Sequence, residues 1–203
     1  MAELPGRLRL ASFLSVVLSG LCGLLSAWEG FSLSRFAELK QAQPPIKYLP
    51  DPVLAEQLRA SQVLALEQMR EPRMVVLFAL ALACSLAFVA SMRLLRPAGL
   101  PREGVRRILV WALVAAAALR TIDGAQAAVV YRSAAEVLRR GLTLPPSLSG
   151  ASAEEVRGLV APTAFAVAIL QTALVVGPFL LLSQYFRSAR VKQWVAHSDT
   201  QVS

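Results

Sequence analysis

The chain has 203 residues, of which 56% are hydrophobic and only 17% charged, with a mean hydropathy of +0.54. That composition excludes an ordinary soluble domain, which carries more charge. A formal charge of +8 and a pI near 10.5 would suit nucleic acid, but the basic residues are dispersed and mostly flank apolar runs. They read as topology signals, not phosphate contacts, and no nucleic-acid partner is expected.

The first apolar run spans 10–28, and three more follow at 74–92, 108–131 and 159–186. Each meets the roughly 17–25 residues needed to cross about 30 Å of hydrocarbon. The expected fold is an all-α integral membrane protein, a four-helix bundle whose helices extend beyond the membrane through 29–73 and 132–158. Arg7 and Arg9 before the first run resemble the start of a signal peptide. A cleavage after Ala27 would put Leu25 where a small residue is needed, so the run is expected to remain as an anchor.

The first helix is expected to begin after Pro5-Gly6 and continue outward through Phe31, Phe36 and Leu39. Gln43-Pro44-Pro45 stops it. Asp51-Pro52 then looks like a helix start, with Asp51 as cap and Pro52 at the first helical position. Pro72, just before the second span, predicts a kink or short break. Pro97, Gly99 and Pro101 predict a tight turn. The third long helix has no proline from Val105 to Arg140, so it should be the longest and end at a left-handed Gly141. Ser152 and Glu155 form a capping-box signature for the fourth, which carries Pro162 and Gly177-Pro178. The tail after Trp194 is polar and expected to fray. Each half follows one order: span, helical extension, Pro-Pro, capped helix start, span. A parallel repeat would look like this, though the halves share little identity.

Charge sets the expected orientation. The N-terminus, the 93–107 loop and the tail from Arg187 hold ten Lys/Arg against three acids. The 29–73 loop is balanced at six against six, and 132–157 holds four against three. The positive-inside rule therefore predicts cytoplasmic termini, in a bacterial inner membrane.

Small residues at four-residue spacing mark helix contact faces, the usual basis of association in lipid. The first span offers Ser15, Ser19, Gly23 and Ala27. The second offers Ala79, Ala83, Ala87 and Ser91.

Arg120 and Asp123 interrupt the third run. Charges at bilayer depth face protein or water, so the two are expected to share a helical face and pair. Gln126 lies near them on the same helix, and Gln171 of the fourth span is expected to approach them. Three readings compete for this cluster: a structural cross-link, an ion or solute path, and a contact to a partner subunit or lipid headgroup.

Catalytic groups are sparse. The sole histidine, His197, lies in the tail, no span holds a lysine, and Cys22 and Cys84 read as packing residues. No cofactor, metal site or enzyme activity is expected. The sequence points first to a non-catalytic subunit or organiser that binds membrane lipid and either other membrane subunits or copies of itself. The alternatives are an oligomeric ion or small-solute transporter using Arg120/Asp123, and a membrane sensor.

Overall fold

Long stretches rich in Ala, Leu and Val fold as helices, and these run through Pro72, Pro162 and Pro178 without ending. The computed structural model describes residues 6–42, 51–95, 102–141 and 151–200. Among them the fold is all-α: α1 (Gly6–Ser34), α2 (Phe36–Ala42), α3 (Pro52–Leu95), α4 (Arg102–Gly141), α5 (Ala151–Arg187) and α6 (Ala189–Thr200). Four of these, α1, α3, α4 and α5, are long and apolar enough to cross a membrane. The Pro44-Pro45, Pro97–Pro101 and Pro145-Pro146 junctions and the Ser152 side chain lie outside the described residues.

Several helix ends behave as their residues dictate. Asp51 Oδ1 accepts the amide of Val53 at 2.9 Å, the N-terminal cap of α3. α4 runs past Arg132 to Gly141. Other expectations are corrected. α3 continues through Pro72 and reaches 44 residues, so it exceeds the 40 of α4. Pro72 and Gln68 are both exposed, so the proline's missing donor falls on an outer face of the helix. Gly141 is the last helical residue without a left-handed backbone; its missing side chain makes room for Leu54 of α3. The tail does not fray at Trp194. It forms α6, with Val191 and Val195 one turn apart and buried.

The chain divides into two compact units. The first comprises Met1–Gly30, Val75–Thr121 and Leu174–Ser203. Its core joins Leu80, Cys84 and Leu94 of α3 to Leu109 and Leu113 of α4, Phe179 and Phe186 of α5, and Val195 of α6. α1 meets this core with small polar groups. Ser12, Ser15, Ser19 and Ser26 are buried, while Leu21, Leu24 and Trp28 are exposed. This inversion suits a lipid surround, which solvates leucine and rewards close backbone approach. The Ser91 hydroxyl of α3 donates to the Ser15 hydroxyl at 2.8 Å. Ser19 and Ser26 return their hydroxyls to carbonyls one turn back. Of the two small-residue faces, Ser15, Ser19, Gly23, Ala83, Ala87 and Ser91 are buried, and Ala27 and Ala79 half-buried.

Gly23 makes the closest of these approaches. A Cβ added there would lie 2.9 Å from Cys84 Cβ. Gly23→Val should therefore push α1 from α3 and cost about 1–3 kcal/mol. Gly104, with nothing within 4 Å of an added Cβ, is the control. Thermal unfolding in detergent should fall for Gly23→Val and not for Gly104→Ala; equal melting of both would refute the close contact.

Arg106 holds the helix ends of this unit. It is 4% exposed, contacts both Glu103 carboxylate oxygens at 2.7 Å, and donates to the Phe186 carbonyl at 2.7 Å. Phe186 is in the last turn of α5, where carbonyls lack helical partners. Arg102 lies over Trp194 and Arg187 over Trp111.

The second unit comprises Phe31–Met74 and Ile122–Ala173. Leu33, Phe36, Leu54, Leu58 and Val63 pack in its interior with Ala134 and Ala135. Arg70 of α3 donates to the Leu33 and Ser34 carbonyls at 3.0 and 3.1 Å, closing the end of α1. Arg59 does the same for Lys40 near the end of α2, at 3.2 Å.

Candidate functional site

Asp123 is the most completely buried acid described, 2% exposed, and lies in the second unit. Its Oδ1 accepts a hydrogen bond from Arg73 Nε at 3.2 Å. Arg73 is itself 9% exposed. Two helices supply the pair. Pro72 and Arg73 sit where the polar part of α3 gives way to the apolar run at 74, and Asp123 lies within the apolar run of α4. Burying either group without a partner would cost several kcal/mol, roughly the desolvation penalty of one ion, and each offsets part of that cost for the other.

The surroundings add polar groups. Gln126, one turn beyond Asp123 on α4, is half-buried, and its Oε1 is buried with no hydrogen-bond partner among the described residues. An acceptor left in this way costs about 1–3 kcal/mol unless something fills it. Gly124 lies against Thr172 of α5, and a side chain in its place would collide with the Thr172 hydroxyl. Thr172 Oγ1 donates to the Ala168 carbonyl at 2.8 Å. A carboxylate, an amide oxygen and a guanidinium thus come from one short stretch of each of two helices. Such a set can hold a proton, a cation or a small polar solute.

Asp123 and Gln126 belong to this site. Arg120 is half-buried and Thr121 exposed, and both belong to the first unit. Gln171 is exposed; the α5 residue packed against Gly124 is its neighbour Thr172. Arg73 is the residue that sequence reasoning missed. A usable signal existed, because it adjoins the end of a span and its long side chain can reach inward from there.

α5 exposes an unusually large apolar face. Only 11% of its apolar stretch is buried, against 39% for α1, α3 and α4. Phe165, Ile169, Leu170 and Leu174 are all exposed. No protein family, curated protein or solved structure matches this chain.

Proposed function

We propose that the protein is a component of an oligomeric pathway for an ion or small solute, with Arg73, Asp123 and Gln126 as its polar site. The observation that carries this reading is the buried Arg73–Asp123 ion pair beside the unsatisfied Gln126 oxygen. Ionisable groups within membrane segments are costly and mark substrate or ion paths. Four helices enclose little space alone, and the bare face of α5 supports assembly with further helices. That face equally supports the second reading, a non-catalytic subunit whose contribution is a membrane-embedded binding surface.

The bacterial inner membrane is the proposed location, with both termini cytoplasmic and the 29–73 and 132–157 segments outside. Reporter fusions at Leu39, Gly99, Ser149 and Ser203 check the orientation. External signals at the first and third positions are expected, and a cytoplasmic signal at either contradicts it.

Access to the site separates the two functional readings. In a chain carrying Cys22→Ser and Cys84→Ala, Gln126→Cys should react with a membrane-impermeant thiol reagent added to one side. Reaction that requires detergent unfolding would mean dense packing around the pair and would favour the structural subunit.

A further inference from the structure

Cys22 of α1 and Cys84 of α3 are the two cysteines of the chain, and their thiols hydrogen-bond to each other. Both belong to the first unit. Cys84 is fully buried in the core, and Cys22 packs against that core while staying half-buried. α1 and α3 run in close contact at this level. A Cβ added at Gly23 would lie 2.9 Å from Cys84 Cβ and 3.7 Å from the Ala81 carbonyl oxygen. Disulfides need such closeness, with α-carbons within about 7 Å. Small side chains at a helix contact explain close packing. They do not require two sulfurs to meet.

Depth restricts the reagent that can reach the pair. Each cysteine lies at least six residues, about 9 Å of helix, inside its apolar run. Charged oxidants such as oxidised glutathione stay in water, because entering hydrocarbon costs them their solvation. An apolar oxidant dissolves in the bilayer. Leu21 and Leu25 of α1 are exposed, so half-buried Cys22 borders a surface that suits lipid.

We infer that Cys22 and Cys84 are a redox-active dithiol that a lipid-soluble quinone oxidises to a disulfide. Two S–H bonds break and one S–S bond forms. The two protons and two electrons pass to the quinone, whose carbonyl oxygens become the hydroxyls of a quinol. The new bond ties α1 to α3 covalently. The pair shares no residue with the Arg73–Asp123 site and does not depend on its role in transport.

The test uses the wild-type protein, reduced and then placed in liposomes with a short-tailed ubiquinone. Both thiols of each chain should be lost together, and one quinol should appear for each chain. The product should be lighter by two hydrogens. After proteolysis within 29–73, the fragments carrying Cys22 and Cys84 should stay joined until a reductant is added. Oxidised glutathione outside the liposomes should leave both thiols reduced, and Cys22→Ser should yield no quinol. Thiols that persist with the quinone, or loss of one thiol by addition to the quinone ring, would overturn the inference. So would oxidation by glutathione as fast as by the quinone, or quinol formation by Cys22→Ser at the wild-type rate.

Discussion

Replacing Asp123 with alanine should lower the amount of folded protein in the membrane sharply. The change removes a carboxylate from beside Arg73, a residue only 9% exposed. Breaking a buried pair by deleting one partner costs about 3–5 kcal/mol, because the remaining charge keeps its desolvation penalty and loses this counter-charge. That is a large share of the net stability of most folded domains. Arg73→Met alone should be similarly damaging, since it leaves a carboxylate that is 2% exposed. The double variant Arg73→Met with Asp123→Leu should recover much of the loss, because two apolar side chains of similar size avoid the desolvation cost altogether. Membrane abundance and the melting temperature in detergent measure both. Single variants at full abundance would show that the pair is solvated and unimportant to the fold. A double variant that is abundant yet inactive would show that the charges do more than hold helices together.

Arg106→Ala should be the most damaging change in the first unit. It removes the two contacts to Glu103 and the donor to the Phe186 carbonyl at the end of α5. Losing a buried charged donor of this kind costs about 2–4 kcal/mol. Arg106→Lys should recover only part of it, since an ammonium cannot grip both carboxylate oxygens in parallel. The same contact gives a pH signature. Hydrogen bonds from Arg106, aided by Arg107, lower the Glu103 pKa from 4.5 to about 2. A lowered acid pKa means stability that is present in full above about 4.5 and lost as pH falls toward 2. The melting temperature of the wild type should therefore drop across that window more than that of Glu103→Gln. Identical acid profiles for the two would contradict the contribution of Glu103.

Much of the architecture was legible because a bilayer imposes a length and a polarity. The four apolar runs became four long helices, and Asp51 capped α3 as its side chain allows. What failed was local. Pro72 suggested a kink or a short break because a proline removes one hydrogen bond; the helix does not break there, and at an exposed position water can replace that bond. The tail looked frayed because its composition is polar, yet Val191 and Val195 at helical spacing were enough to dock it. The ion pair was half legible. Asp123 announced itself as a charge in an apolar run, whereas its partner Arg73 lies 50 positions away and was counted as part of a balanced loop. Periodicity along one helix identifies neighbours on that helix, not the residue that a second helix brings alongside. On α5 the side chain that meets Gly124 is Thr172, the neighbour of the Gln171 that the sequence singled out, and one residue on a helix is a rotation of about 100°.

Flux through the reconstituted protein tests the proposed pathway directly. Wild type and Asp123→Asn should be purified to equal amounts of folded protein and placed in liposomes. Gradients of H⁺, Na⁺, K⁺ and Cl⁻ and of a set of small polar solutes are then imposed in turn. At least one species should move in the wild type, and its movement should be lost in Asp123→Asn, which keeps the shape of the side chain and removes its charge. Wild-type liposomes as tight as protein-free ones, or equal flux through the variant, would contradict a transport role for the Arg73–Asp123 site.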